Sequence, residues 1–324
     1  MATKRISVKE AAARLLAMDN VVILCHKNPD GDTMGSGHAL CHALRGMGKN
    51  ARVACADPLP RKMSYMADGL VELSFEEEHV ISIDVADTVL LGSLREVYGD
   101  RIELAIDHHA THRDFAKEAC VIPHYASACE IAFDLIEELG TPFTREIADC
   151  LYTGIATDTG CFKYAAVTPL THRKIAALME AGADHVGICK VMFDTKSLAC
   201  FKLESEALSA LEMHFDGKLA LINVTREMMA LGGVTDEDLD SITALPRKIE
   251  GVLCGVTVKE KEGEYKVSLR TEAPVDAAKI CSMFGGGGHI RAAGCSFTEA
   301  PEVFMPRLLA ACGDEIMRAG VVVG

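Results

Sequence analysis

In the first half of the chain, short unbroken runs of Val, Ile and Leu alternate with stretches whose apolar residues recur every three or four positions. Val21–Cys25 (VVILC), Ala51–Cys55 (ARVAC), Val80–Asp84 (VISID) and Ile102–Asp107 (IELAID) read as strands. Strands that are apolar along their whole length are buried on both faces, the mark of a parallel sheet with helices above and below. A Gly-rich turn after Cys25 leads into a helix running through Leu44. Helical spacing then dominates Ser127–Gly140, where Gly140 is a helix stop, and Arg145–Gly160. A further helix starts near Thr168, with Pro169 at a first-turn position. The expected class is α/β, with a mostly parallel sheet covered by helices on both faces.

The pattern weakens between Asp184 and Leu203, and the second half has a different character. Lys218–Val224 reads as a strand. Val252–Glu260 and Glu264–Thr271 read as a hairpin around the EKEGE turn, and helices are expected in Val275–Phe284 and near the C-terminus. The division expected is a domain over 1–184, a connector over 185–203 and a smaller mixed α/β domain over 204–324. There are no internal repeats and no low-complexity segment.

Bulk properties narrow the function. The 324 residues suit two domains, and a hydrophobic fraction of 49% is ample for packed cores. A net charge of −14, from 33 basic and 47 acidic side chains, argues against a general grip on long nucleic acid. It leaves room for a short phosphorylated ligand, because bound cations invert a local field. Thirteen scattered cysteines without a Cys-x-x-Cys pair indicate small buried side chains in a reducing cytosol. The first twenty residues form an amphipathic helix pattern without the apolar core of a signal peptide. No apolar run reaches the ~18–20 residues that cross a bilayer. A soluble, cytoplasmic protein is expected, with no membrane partner.

Four polar clusters stand where apolar runs end. His26, Asp30 and Asp32 lie in HKNPDGD, directly after the first strand. The crevice beyond strand C-termini is the usual ligand site of such a sheet, although Pro-Asp-Gly-Asp is also good turn chemistry. In an extended loop, Asp30 and Asp32 would address two adjacent ions or opposite sides of one. Asp84 ends the third strand, with Asp87 three residues on; a lone Asp there is often a helix N-cap. Asp107, His108 and His109 end the fourth strand, and imidazole with carboxylate suits Mn2+, Fe2+, Co2+ or Zn2+ better than Mg2+ or Ca2+. Asp158 comes late in a helix, where the alternative is a C-terminal turn stopped at Gly160. Three of the clusters come after separate strands and would converge on one sheet edge. His26, Asp30, Asp32, Asp84, His108 and Asp158 are enough for two ions with a shared carboxylate, the arrangement that clamps both oxygens of a phosphoryl displacement.

The ordered motifs HKNPDGD, ISIDVAD, IDHHATH and ATDTG, with VSLRT and GGGGHIRAAG (Gly285–Gly294) after them, resemble the DHH phosphoesterase superfamily, and within it the bacterial nanoRNase/pAp phosphatase group. The resemblance spans nearly the whole chain. It implies that His26, Asp30 and Asp84 hold one Mn2+ and that Asp32, Asp84, His108 and Asp158 hold the other, with Asp84 bridging. It implies further that Asp107 supports His108, that His109 faces the substrate, and that Arg270 and His289 bind phosphate. Gly286, Gly287 and Gly288 would then permit close backbone approach. His112 departs from the pattern, since relatives often carry Asn there, and Ser127 and Glu130 are candidates for shaping the pocket.

The activity the resemblance implies is hydrolysis by a hydroxide bridging two metal ions, with the C-terminal domain as a lid. The substrates would be short oligoribonucleotides, cut to 5′-mononucleotides, and 3′-phosphoadenosine 5′-phosphate (pAp), which would lose its 3′-phosphate. Rival readings are a phosphodiesterase for linear or cyclic dinucleotides such as pApA or cyclic di-AMP, a pyrophosphatase or polyphosphatase, and a catalytically silent nucleotide-binding protein. Homodimers are common among such relatives.

Overall fold

The computed structural model describes residues 3–232, 242–318 and 320, and the chain divides into two compact units, residues 1–195 and 196–324. The first unit is built on strands β1 (Lys4–Arg5), β2 (Val21–Leu24), β3 (Ala51–Ala54), β4 (His79–Ile83), β5 (Leu104–Asp107) and β6 (Glu118–Val121). They lie in the order β1-β6-β5-β4-β2-β3, and every neighbouring pair is parallel. The four expected strands are present and the class is as expected. The two strands not anticipated lie at one edge; β1 is only two basic residues, and the apolar run at β6, Ala119–Ile122, is short. β1 occupies part of the stretch read as amphipathic helix; that helix begins only at Val8, behind a capping box of Ser7 and Glu10.

The helices of this unit are α1 (Val8–Ala17), α2 (Gly31–Gly46), α3 (Arg95–Tyr98), α4 (Ala128–Glu138), α5 (Arg145–Asp158), α6 (Pro169–Glu180) and α7 (His185–Cys189). Alternate strand residues face opposite layers. Ile23, Ile81, Ile83 and Ile106 join the core formed with α1, α2, α4 and α5. Val22, Leu24, Val80 and Ala105 pack instead with Leu91 and Tyr98, from a 3-10 segment (Thr88–Leu94) and α3. Both faces are therefore covered, one of them thinly.

The crossing of α2 and α5 places two acidic side chains together. A Cβ at Gly35 would lie 2.4 Å from the Cys150 carbonyl oxygen, and one at Gly31 would lie 2.2 Å from Oγ1 of Thr157. The two helices approach this closely because side chains are missing there. The start of α2, with Asp32, is thereby set beside the end of α5, with Asp158.

The second unit holds β7 (Glu212–His214), β8 (Leu219–Val224), β9 (Cys254–Lys261), β10 (Glu264–Thr271), β11 (Gly287–His289) and β12 (Ala292–Phe297), in the order β11-β12-β10-β9-β8-β7. Among the described residues only β8 and β9 are parallel here; β9 and β10 form the expected hairpin. Helices α8 (Leu198–Ser209), α9 (Arg226–Gly232), α10 (Ala277–Ser282) and α11 (Pro301–Arg318) complete it, with Val256, Leu269, Ile280, Phe304 and Leu308 in its core. Of the 185–203 stretch, α7 and the π-turn Lys190–Asp194 belong to the first unit, and α8 opens the second. No described helix is long and apolar enough to cross a membrane.

Candidate metal centre

β5, β4 and β2 are neighbours in the sheet and end almost level: Leu24 pairs with Ser82, and Ile83 with Ile106. The residues just past each strand therefore emerge side by side. They are His26 after β2, Asp84 after β4, and His108 and His109 after β5. Asp84 has φ of 58°, a left-handed conformation that a non-glycine residue adopts at a cost. It is no N-cap; Asp87 takes that role instead, accepting from the Val89 amide.

Asp30 and Asp32 are not in an extended loop, as the sequence suggested. Asp30 is the N-cap of α2, its Oδ1 accepting from the Asp32 and Thr33 amides at 3.0 Å, and Asp32 sits in the first helical turn. Cap geometry turns the two carboxylates apart. Asp30 comes within 3.6 Å of His26 Nε2. Asp32 is buried, and both of its oxygens are held by the first amides of α4: Oδ2 by Ala128 (2.7 Å) and Oδ1 by Cys129 (2.9 Å). A helix N-terminus favours the negative charge placed there.

Three sets of donor atoms result: His26, Asp30 and Asp84; Asp32, His108 and Asp158; and Asp84, His108 and His109. Nε2 of His26 is 3.5 Å from Oδ2 of Asp84, and Nε2 of His108 is 3.5 Å from Oδ1 of the same residue. His108 Nε2 also lies 3.7 Å from Asp32 and 3.6 Å from Asp158. Asp84 thus belongs to two of the three sets and reaches the Asp32/His108/Asp158 set through His108.

The histidines are oriented for coordination through Nε2. Nδ1 of His26 meets the Lys27 carbonyl at 2.8 Å, and Nδ1 of His108 meets the Tyr125 carbonyl at 3.3 Å. A carbonyl can only accept, so each Nδ1 carries the proton and Nε2 presents its lone pair to the carboxylates. Separations near 3.6 Å are too long for hydrogen bonds but suit two atoms sharing a cation. The Oδ1 atom of Asp84 is buried without a hydrogen-bond partner.

The electrostatics point the same way. Burial raises the Asp84 carboxyl well above the usual range, and Asp32 adds to this. Burial also raises Asp32, against the pull of His108. Asp158 is pushed up to about 9 by burial and by the charges of Asp32 and Asp84. Burial works to lower His26, but Asp30 and Asp84 lift it to about 11, so a positive charge between these carboxylates is strongly favoured. Crowded carboxylates with too little cationic charge of their own, and imidazole Nε2 atoms aimed at them, fit divalent ions.

Asp107 plays a different part from the one expected. Instead of bonding the His108 ring, its fully buried carboxylate accepts from the His108 amide (2.8 Å), from Nδ1 of His109 (2.8 Å) and from Nδ1 of His112 (2.6 Å). The ring bond of His108 is made by the Tyr125 carbonyl. Burial opposes the Asp107 charge, but these two imidazoles hold the carboxyl far below its usual range. The same hydrogen bond raises His109 above its ordinary value. His109 and His112 also line a cavity of about 270 Å³ with Arg5, Ile6, Val121 and Pro123. A larger cavity, about 430 Å³, lies around Arg145, Asp149 and Asp184 and includes none of the ligand candidates.

Ser127 caps α4 by accepting from the Glu130 amide, and Glu130 accepts from the Ala126 amide through Oε2. Their work is to form the helix start that grips Asp32. In the second unit Arg270 and His289 pair with Ala292 from opposite sides, on β10 and β11. Arg270 is half-buried, and the His289 side chain lies outside the described part of the molecule. A Cβ at Gly286 would fall 2.2 Å from the Gly294 carbonyl oxygen, and one at Gly288 2.5 Å from that of Ala292. These two glycines admit the close approach of β12, while Gly287 has open space.

An all-parallel sheet whose central strand ends carry this His/Asp constellation suits a metal-dependent hydrolase. Residues 20–155 match the DHH family, N-terminal domain, and residues 226–316 match the DHHA1 domain. The chain belongs to the DHH phosphoesterase family. The bifunctional oligoribonuclease and PAP phosphatase of Thermus thermophilus is 33% identical over 93% of this chain and 91% of its own. The probable enzyme of that name from Streptococcus mutans is 26% identical over 89% and 93%. Among solved structures, an exopolyphosphatase-related protein from Bacteroides fragilis superposes with a TM-score of 0.90 at 24% identity, covering 97% of this chain and 98% of that one.

Proposed function

We propose that this protein hydrolyses phosphate esters of short ribonucleotides, releasing 5′-mononucleotides from oligoribonucleotides of a few residues and removing the 3′-phosphate from pAp. Full-length relatives with both activities in their names support the reading. The single observation that carries it is Asp84, buried with one oxygen lacking a hydrogen bond, and 3.5 Å both from His26 of the His26/Asp30 pair and from His108 of the Asp32/His108/Asp158 set. Two divalent cations, Mn2+ in this reading, would neutralise phosphate charge there and acidify an attacking water.

The chain's own residues then divide the remaining work. The α4 amides offset part of the cost of burying the Asp32 charge among other carboxylates. Asp107 fixes the His109 ring through Nδ1 and favours its protonated form, so His109 can pass a proton from Nε2 to the leaving oxygen. Arg270 binds a substrate phosphate, a planar fork matched to two oxygens. The net charge of −14 favours short substrates over long duplexes, and thirteen cysteines outside any disulfide suit the cytoplasm.

Purified protein supplied with Mn2+ is incubated with pAp and, separately, with a 5′-labelled dinucleotide. AMP with inorganic phosphate, and labelled 5′-mononucleotide, are the expected products. Metal-loaded protein that turns over neither substrate overturns the proposal.

A further inference from the structure

Lys174 is a cation buried away from the centre, on α6, with a side chain 3% exposed. Its Nζ lies 2.7 Å from Oδ1 of Asp134, 2.7 Å from the Glu130 carbonyl oxygen and 4.1 Å from the centre of the Tyr125 ring. The Tyr125 hydroxyl donates to the other Asp134 oxygen at 2.6 Å. One ammonium thereby ties together Tyr125, the first turn of α4 and the α4 carboxylate below it. Burying a lysine is costly unless it is fully paired, and here it has two oxygens and an aromatic face.

The segment so fastened, residues 125–130, touches the candidate centre at two points. The Tyr125 carbonyl accepts from Nδ1 of His108, and the Ala128 and Cys129 amides hold Asp32. Both contacts concern the Asp32/His108/Asp158 set. His26 is oriented by the Lys27 carbonyl and Asp30 by its cap, neither of which touches this segment.

We propose that Lys174 is a positioning residue for one of the two ion sites: it locks the 125–130 segment, which fixes the tautomer of His108 and the seat of Asp32. The inference rests on the two-metal reading above and extends it to a residue outside the centre. Loss of a partner that orients a metal ligand typically weakens binding 10–100-fold, and here the loss falls on one site only.

The test is Mn2+ binding, monitored by the depletion of the free-ion EPR signal, on wild-type protein and on Lys174→Met, with circular dichroism to establish folding. Two ions are expected on the wild type. On the variant, one site is expected at unchanged affinity and the other weakened roughly 10- to 100-fold. Tyr125→Phe, which removes only the hydroxyl bond to Asp134, is expected to weaken the same site by less, and it carries the test if Lys174→Met does not fold. Unaltered affinity at both sites, or an equal loss at both, overturns the positioning role while leaving the metal reading intact. Wild-type protein that binds no Mn2+ overturns both.

Discussion

The Asp107 carboxylate accepts a hydrogen bond from Nδ1 of His109 at 2.8 Å, and it does so fully buried, beside a second imidazole from His112. This pair is the arrangement of an orienting anion and a proton-carrying ring. In Asp107→Asn the ring loses the charge that raises its proton affinity. If His109 donates to the leaving oxygen, it must be protonated to act. Turnover is therefore expected to fall by roughly 10²–10⁴-fold, the usual worth of acid–base assistance. The alkaline limb of the kcat–pH profile is expected to move to lower pH. A profile that keeps its alkaline limb would remove His109 from the acid role.

Asp84 lies 3.5 Å from both His26 and His108, whereas Arg270 belongs to no ligand set. Asp84→Ala is expected to abolish activity and to leave the protein with less than one bound ion. Arg270→Ala is expected to raise KM for pAp while metal content stays unchanged. Metal analysis beside steady-state kinetics separates the two, and equal residual rates in both variants would count against a shared carboxylate.

Removing metal should cost stability as well as activity, because it leaves the buried carboxylates uncompensated. At Mn2+ a hundredfold above its Kd, one site adds about 2.7 kcal/mol to the free energy of unfolding. Urea titrations with EDTA and with Mn2+ are expected to differ by at least this much. Coincident curves would mean that the native state does not bind the ion preferentially.

Close helix packing, rather than ligand chemistry, sets Asp158 beside Asp32. Gly35→Ala places a methyl 2.4 Å from the Cys150 carbonyl oxygen, on rigid helix backbone. A loss of about 1–3 kcal/mol is expected from overpacking, together with weakened ion binding at the Asp32/His108/Asp158 set. Unchanged thermal stability would show that α2 and α5 separate at little cost.

His38, buried in α2 with Nδ1 bonded to the Met34 carbonyl, is pushed down to about 4 by burial. Its folded value lies below the unfolded value of ~6.5. Above that pH both states are neutral and nothing is lost. As pH falls from 6.5 towards 4, the unfolded chain takes up a proton that the folded chain refuses, and stability declines. The full effect is about 3 kcal/mol. Replacement by Leu is expected to flatten the wild-type slope of urea midpoint against pH over this window, and parallel slopes would contradict it.

Much of the first unit is legible in the sequence because strands buried on both faces cannot hide: β2, β4 and β5 are nearly unbroken apolar runs, and β3, half-buried at the sheet edge, is broken only by Arg52. β1, the other edge strand, carries no such signal, being two basic residues, and the apolar run at β6 is short, Ala119–Ile122 after Glu118. The ligand candidates are readable as polar clusters at strand ends. Their geometry is not. Whether Asp30 and Asp32 lie in a loop or a helix start depends on a cap whose partners are backbone amides. The grip of α4 on Asp32 joins residues 96 and 97 positions apart. The Tyr125 carbonyl that orients His108 leaves no trace in side-chain identity. Lys174 reads as one more surface cation on an amphipathic helix until Asp134 and Tyr125 are seen around it.

Level endings on three adjacent strands turn the sheet into a ruler. Hydrogen bonding fixes neighbouring strands ~4.8 Å apart, so side chains leaving β2 and β5 start ~10 Å from each other with Asp84 midway. In the two-metal reading, cations ~3.5–4 Å apart, each with an outer ligand bond of ~2.1 Å, would take up ~8 Å of that width. The points where His26, Asp84 and His108 leave the sheet are set by the backbone repeat, so loops around them can lengthen or change composition without moving those points.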